Sequence, residues 1–366
     1  MGVKDFLQSS QEQSRPWVET PLRESYALSQ AAGWYGLGHY LVKRVEELPT
    51  HISNPHIFCS SGGNAGLAAV HASRTLGVPC TVVVPSTVKQ LMVTKIKAAG
   101  AYEVLQHGDA WADADKYMRE ELMPQAGEAA IYAPPFDHPD IWAGNSSIMY
   151  EIADQMPDSP ANTIICSVGG GGLLNGLAMA LDDLSLSGST TVIGVETAGA
   201  ESLAAAVHAG QLVTLPRITS QATSLGCARV TQLTLDTAQR DNFRGVVLPD
   251  AEAAMGCWRL ADDERIMVEL ACGVNVALCY DGRLEKALGR KVRPDEKVVI
   301  VLCGGSNVTV NMLSEWRKEY AYLEEPVTRR KDSEIQHVPQ DVPEIPRRAP
   351  VQRQWNQEVL QLEAKL

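Results

Sequence analysis

The feature that most constrains this chain is the alternation of short apolar runs with stretches of helical length. The apolar runs are rich in β-branched residues and are candidate strands: residues 56–59, 81–85, 163–168, 191–195 and 297–303. Runs that barely alternate with polar residues are typical of strands buried on both faces of a parallel sheet. The stretches between them are rich in Ala and Leu and are candidate helices: residues 64–76, 90–99, 110–122, 172–184 and 307–323. This pattern predicts an α/β fold with open, mostly parallel, twisted sheets.

Composition narrows the classes of function. The chain carries 32 Lys and Arg against 44 Asp and Glu, a formal net charge of −12 at pH 7, which argues against a general binder of nucleic acid or anionic membranes. No apolar run approaches the roughly 18 residues of a membrane span, and the polar N-terminus lacks the apolar stretch of a secretory signal. The eight cysteines form no C-x-x-C pair, which favours buried free thiols over a zinc site or disulfides. We therefore expect a cytoplasmic protein.

Gly-rich corners follow three of the predicted strands. They are residues 60–66 (Ser-Ser-Gly-Gly-Asn-Ala-Gly), residues 169–172 (four glycines) and residues 304–307 (Gly-Gly-Ser-Asn). In open α/β sheets, ligands bind outside the carboxyl ends of the strands. We therefore expect the three corners to line one shared crevice.

Each corner has a chemical interpretation and a simpler one. Four glycines before a helix let backbone N–H groups converge on a phosphate, or they form a flexible turn; neither a dinucleotide-binding motif nor a P-loop motif is present. Residues 60–66 can hold a carboxylate while Asn64 donates to a ring oxygen, or Ser60, Ser61 or Asn64 caps the next helix. Cys303 lies at the end of the last predicted strand, and this position alone favours the simpler interpretation of a small buried side chain.

Motifs in a fixed order resemble those of one enzyme family. They are Thr20-Pro-Leu22, Ser60-Ser-Gly-Gly-Asn-Ala-Gly66, Pro134-Pro-Phe-Asp137, Ser167-Val-Gly-Gly-Gly-Gly-Leu173, Val195-Glu-Thr197 and Cys303-Gly-Gly-Ser-Asn307. In this combination the chain resembles the serine dehydratases (L-serine ammonia-lyases) of the pyridoxal-phosphate (PLP) enzymes of fold type II. That fold is shared by threonine deaminase and the tryptophan synthase β chain. The resemblance runs from near residue 20 to near residue 320.

The resemblance implies three groups of site residues. The cofactor would be held by Asn64, Gly169, Gly170, Gly171, Gly172 and Cys303. The substrate carboxylate would be held by Ser61, Gly62 and Ala65. A monovalent cation such as K⁺ would be held by Glu196, Ala200, Ser202, Leu225 and Cys227. A thiol facing the pyridine nitrogen, where serine stands in threonine deaminase and serine racemase, favours the serine dehydratase branch.

One part of the family pattern is not found. The family forms its Schiff base through a lysine in a segment close to Ser-Gly-Ser-Phe-Lys, shortly before an Arg-Gly-Ile-Gly-His stretch. Here residues 35–39 resemble the end of that stretch, and residues 31–34 resemble the end of the first family helix. We therefore infer that roughly 17 residues, with the Schiff-base lysine, are missing between Trp34 and Tyr35, so no catalytic residue is assigned.

The missing segment leaves two explanations open. The chain is an incomplete gene product, or it is a pseudoenzyme; the intact glycine corners and Cys303 favour the first. Lys43 is a poor substitute because it lies beyond the motif on a predicted helix that runs away from the corner. Lys89, Lys95 and Lys97 match no lysine site of the family.

The sequence as a whole predicts a two-domain enzyme of fold type II. Residues 35–137 would form the small domain, residues 1–34 and 138–322 the large PLP-binding domain, and residues 323–366 a disordered tail that can include a short helix. The expected reaction is β-elimination from L-serine, and also L-threonine, by a homodimer that binds neither nucleic acid nor membrane. The alternatives are a pseudoenzyme and another fold type II reaction, such as that of serine racemase or threonine deaminase.

Overall fold

Two parallel sheets organise the computed structural model, which describes residues 30–31 and 35–324. The strands are β1 (Gln30–Ala31), β2 (His56–Cys59), β3 (Cys80–Val84), β4 (Glu103–Gln106), β5 (Ala130–Ala133), β6 (Thr163–Ser167), β7 (Thr191–Thr197), β8 (Phe243–Leu248) and β9 (Val298–Val301). One sheet has the order β4-β3-β2-β5 and the other the order β1-β9-β6-β7-β8. Every pairing in both sheets is parallel. The predicted α/β fold with parallel sheets is confirmed.

Helices connect successive strands and cover the sheets. They are α1 (Tyr35–Glu46), α2 (Asn64–Leu76), α3 (Gln90–Ala98), α4 (Trp111–Tyr117), α5 (Met123–Ala126), α6 (Pro139–Gln155), α7 (Gly172–Asp183), α8 (Ser202–Ala209), α9 (Gln232–Ala238), α10 (Asp250–Glu264), α11 (Leu270–Ala277), α12 (Arg283–Leu288) and α13 (Val310–Glu319). Within the described part of the chain, no helix combines the length and the apolar character needed to cross a bilayer.

The five-stranded sheet is buried on both faces. Ile165 in β6 packs with side chains of α10 and α11, whereas its neighbour Ile164 packs with side chains of α6 and α7. Both residues are fully buried. Because consecutive side chains of a strand point to opposite faces, a strand covered on both sides needs apolar residues at every position. This is the physical reason for the uninterrupted apolar runs in the sequence.

Two of the predicted elements have the predicted bounds, β2 and α2, and others differ at their ends. Ala31, expected near the end of a helix, instead pairs with Val301 in β1, where it covers an edge of β9. The predicted helix at residues 110–122 changes to a π-helix over Met118–Leu122. The predicted helix at residues 307–323 begins only at Val310, because the Thr309 hydroxyl caps it by accepting from the Met312 N–H at 3.2 Å.

Two further expectations fall largely beyond the described residues. The predicted tail, residues 323–366, is described only to Glu324, where a short 3₁₀ helix, Ala321–Glu324, ends. Of the N-terminal segment, residues 1–34, only β1 is described, so Trp34 and the family motif that starts at Thr20 lie outside the described residues.

Candidate functional site

The three Gly-rich corners lie at the carboxyl ends of β2, β6 and β9. Asn64, in the first corner, accepts a hydrogen bond from the Ser306 N–H in the third corner at 2.9 Å. The Asn64 Nδ2 also donates to the Ser224 Oγ at 3.2 Å. Ser224 in turn adjoins the second corner, because a Cβ built on Gly169 would lie 3.4 Å from its carbonyl oxygen. The fold therefore brings the three corners together between the two sheets.

The glycine turn at residues 169–172 leads directly into α7. Within residues 35–324, the backbone amides of Gly169, Gly170 and Gly171 donate to no protein acceptor, and no side chain caps α7. Gly171 has a φ of +97°, a left-handed conformation that favours glycine. Unbonded amides at the positive end of a 12-residue helix are a receptor for an anion. The turn therefore fits the phosphate of PLP.

Packing around the turn holds it in place. A Cβ on Gly171 would lie 1.8 Å from the Thr234 Oγ1, and a Cβ on Gly170 would lie 2.3 Å from the Phe136 ring. The Gly170 carbonyl accepts from the Thr231 N–H at 3.3 Å. Side chains larger than hydrogen therefore cannot enter the turn without displacing its neighbours.

Glu269 is a functional candidate that the sequence reasoning missed. Its carboxylate is 2% exposed and accepts hydrogen bonds from the Asn64 Nδ2 at 2.8 Å and from the Asn307 N–H at 2.7 Å. Both Nδ2 hydrogens of Asn64 are thus donated to protein acceptors, so a ring oxygen that accepts from this amide would have to replace Ser224 or Glu269. The available signal was a carboxylate inside an otherwise apolar segment, residues 267–272.

Cys303 follows β9 at the entrance to the third corner. Burial raises the pKa of its thiol to about 12, and the nearby Glu269 carboxylate acts in the same direction. The thiol is therefore protonated at neutral pH and can act only as a weak, uncharged donor.

Asp115 of α4 anchors the first corner through a hydrogen bond to Ser60. This carboxylate is 4% exposed and accepts from the Ser60 Oγ at 2.7 Å and the Tyr132 hydroxyl at 2.9 Å. Its other oxygen lies 2.9 Å from the Arg119 Nε. The Ser60 hydroxyl thus donates its hydrogen to a buried carboxylate, which orients the start of the corner.

The rest of the first corner precedes α2, whose N-cap is Gly63, and no side chain in the described part of the chain caps this helix. The alternative of simple capping by Ser60, Ser61 or Asn64 is therefore wrong. The Ser61 Oγ accepts from the Gly63 N–H at 3.3 Å. A Cβ on Gly62 would lie 2.6 Å from a Val88 methyl, and Ala65 is partly buried against the core of the four-stranded sheet.

Three of the residues predicted to hold a cation, Glu196, Ala200 and Ser202, lie around the start of α8. The Glu196 carboxylate is 3% exposed and accepts from the Leu203 and Ala204 N–H groups at 2.7 and 2.8 Å. Burial raises its pKa to about 8, although these two amides act in the opposite direction. The Ser202 hydroxyl is buried and, within the described residues, has no hydrogen-bond partner.

Among the remaining members of the predicted cation set, Leu225 and Cys227 already use their carbonyl and thiol groups in contacts with nearby main chain. Ala200 is fully buried, whereas the Leu225 carbonyl accepts from the Cys227 N–H at 2.7 Å and the Cys227 thiol lies 3.0 Å from the Arg229 carbonyl. Residues 30–31 and 35–324 contain no group of three or more His, Cys, Asp and Glu side chains that could hold a metal ion.

Two lysines discussed from the sequence occupy very different surroundings. Lys43 forms an ion pair with Asp140 of α6, with 2.6 Å between Nζ and Oδ1. Lys95 of α3 extends to the third corner, where its Nζ donates to the Ser306 carbonyl. The structure therefore places Lys95, and not Lys43, beside the corner that contains Cys303.

The sequence profile of the family "pyridoxal-phosphate dependent enzyme" matches residues 37–304. An L-serine dehydratase of Saccharomyces cerevisiae is 42% identical over 284 residues, which cover 75% of this chain and 84% of the yeast protein. A catabolic L-serine/threonine dehydratase of the same species is 38% identical over 290 residues, covering 76% and 80% of the two chains. The crystal structure of an L-serine ammonia-lyase from Rhizomucor miehei superposes with a TM-score of 0.75 at 30% identity, covering 84% of this chain and 100% of that one.

Proposed function

Because this chain belongs to the pyridoxal-phosphate dependent enzyme family, we propose that it catalyses the PLP-dependent elimination of L-serine to pyruvate and ammonia. L-Threonine, which would give 2-oxobutanoate, is proposed as a second substrate. The names of the yeast relatives, an L-serine dehydratase and an L-serine/threonine dehydratase, support this choice. The observation that carries the proposal is the junction of the glycine turn, the Asn64 corner and the Cys303 corner between the two sheets.

The glycine turn would bind the phosphate of the cofactor, and the Cys303 corner would contact its ring. When bound, PLP supplies two chemical functions: its aldehyde condenses with an amine, and its ring withdraws electrons from the substrate α-carbon. The amides of Gly169, Gly170 and Gly171 would bind its phosphate at the start of α7. The neutral Cys303 thiol would face the ring nitrogen without transferring a full proton, which moderates electron withdrawal.

The substrate carboxylate would lie at the first corner. The Ser61 hydroxyl accepts a bond from the Gly63 N–H and so keeps its own hydrogen free to donate to a carboxylate. Gly62 and Ala65 flank the start of α2, whose positive end attracts an anion. Asp115 fixes the corner through Ser60, so these donors would be oriented before the substrate arrives.

Several further features are proposed with this function. We propose that residues 35–137 form the small domain, that residues 1–34 and 138–322 form the large one, and that the protein is a cytoplasmic homodimer. Free cysteines at all eight positions are in accord with a reducing compartment. A K⁺ ion near Glu196 would supply the positive charge that this buried carboxylate lacks.

We also propose that the family segment with the Schiff-base lysine is absent between Trp34 and Tyr35. Sequencing the transcript across the codons for Trp34 and Tyr35 tests this proposal directly. Additional in-frame codons that include a lysine would identify the present chain as an incomplete product. An uninterrupted junction would establish the deletion as a property of the protein.

The proposed activity is tested with the purified full chain, PLP and L-serine, by coupling pyruvate to NADH oxidation with lactate dehydrogenase. We expect pyruvate to form in proportion to the protein and to depend on added PLP. Retention of PLP without formation of pyruvate would overturn the proposed elimination and support a pseudoenzyme. Formation of D-serine instead would identify a racemase.

A further inference from the structure

The structure brings one lysine to the cofactor corners although it belongs to no lysine motif of the family. Lys95 lies in α3, on the side of the four-stranded sheet, and its half-buried side chain extends to the main chain of the loop that follows β9 of the other sheet. Its Nζ donates to the Ser306 carbonyl, and the N–H of the same Ser306 donates to the Asn64 Oδ1. Cys303 lies three residues before Ser306. The amine therefore lies at the edge of the junction where the cofactor ring would bind.

The electrostatic surroundings of Lys95 differ from those of Lys43 and Lys116. Lys43 is paired with the Asp140 carboxylate, and Lys116 lies 3.9 Å from the Glu120 carboxylate. An adjacent carboxylate favours the charged ammonium, which is not a nucleophile. Lys95 instead donates to a neutral carbonyl oxygen, and among the described residues no carboxylate forms an ion pair with it. Its amine is therefore not held in an ion pair with any of the described residues.

We infer that Lys95 supplies the amine that binds the PLP aldehyde in this chain. The inference rests on the cofactor binding proposed above. In the reaction, the ammonium first gives a proton to solvent. The neutral amine then attacks the aldehyde carbon, a C=N bond forms, and the aldehyde oxygen leaves as water with the two remaining amine hydrogens. Release of the Ser306 carbonyl frees Lys95 for this step, while the Asn64–Ser306 bond keeps the corner in place.

The test locates the covalent bond and does not depend on turnover. The full chain is incubated with equimolar PLP, reduced with borohydride, digested and analysed by mass spectrometry for the lysine that carries the pyridoxyl group. Lys95→Arg keeps the positive charge and a donor for the Ser306 carbonyl but cannot form the imine. Lys97→Met is the matched control, because Lys97 is an exposed lysine two residues away on the same helix. Thermal unfolding of both variants checks that they are folded.

We expect the pyridoxyl group on the Lys95 peptide of the wild type and of Lys97→Met, and its loss from Lys95→Arg. Labelling at another lysine, such as Lys89 or Lys43, would overturn the inference. Retention of PLP after dialysis without any reducible bond would also overturn it, although cofactor binding would stand. Failure to retain PLP at all would contradict the proposed function itself.

Discussion

Two buried carboxylates, Asp115 and Glu269, fix the loops that form the site. Asp115 holds the Ser60 hydroxyl at the base of the first corner, and Glu269 joins the Asn64 side chain to the Asn307 amide. A carboxylate removed from water is costly unless hydrogen bonds or charges replace its hydration. Each of these carboxylates has at least two such partners, so the protein itself orders both loops before a ligand binds.

Asp115→Asn is expected to lower the free energy of unfolding by about 1–3 kcal/mol, because a buried network loses its charge and one amide hydrogen has no acceptor. The exposed Arg119 limits the loss, since water can solvate its guanidinium. Urea unfolding followed by circular dichroism measures the change. Glu120→Gln, at an exposed position in the adjacent turn, is the control. Equal stability of the two variants would show that Asp115 does not anchor the corner.

Among the elements, the turn from β6 to α7 has the strictest steric requirement. Gly171 combines a φ of +97° with the Thr234 hydroxyl where a Cβ would stand. Gly188, in the loop before β7, has an ordinary φ, and a Cβ there would lie more than 4 Å from every described residue other than its chain neighbours. Comparing alanine substitutions at Gly171 and Gly188 therefore separates the effect of the crowded turn from the general effect of adding a methyl group.

Gly171→Ala is expected to destabilise the protein by about 1–3 kcal/mol through backbone strain and the clash with Thr234. It should also weaken PLP binding, because the amides of the turn would move. Gly188→Ala should change neither property. Thermal unfolding and fluorescence titration with PLP measure the two effects. Wild-type PLP affinity in a folded Gly171→Ala protein would exclude the turn as the phosphate site.

Elements with strong local patterns were predictable, and those defined by distant contacts were not. The apolar run of β2 and the Ala-rich α2 appear with the predicted bounds. The edge strand β4 was missed because its residues are polar or partly exposed and lack an apolar run. The bond between Asn64 and Glu269 joins residues 205 positions apart, and no local spacing indicates it. The sequence therefore indicated the three corners but not the side chains that connect them.

At the scale of the whole molecule, the site depends on contacts between the two sheets. Asn64 bonds to Ser224, Glu269 and Ser306, and Lys95 bonds to Ser306, so the α2 and α3 side is joined to the β9 side at four points. A ligand that binds across this junction in the folded chain alone stabilises it by a free energy that grows with the logarithm of the ratio of free ligand concentration to Kd. Binding of PLP therefore depends on the packing of the two sheets against each other, and the proposed reaction depends in turn on that binding.

Equilibrium dialysis of the full chain against PLP tests this account most directly, with pyridoxal, which lacks the phosphate, as the matched ligand. We predict about one PLP bound per chain and much weaker retention of pyridoxal, because the glycine-turn amides bind the phosphate. No retained PLP, or equal retention of pyridoxal, would contradict the account.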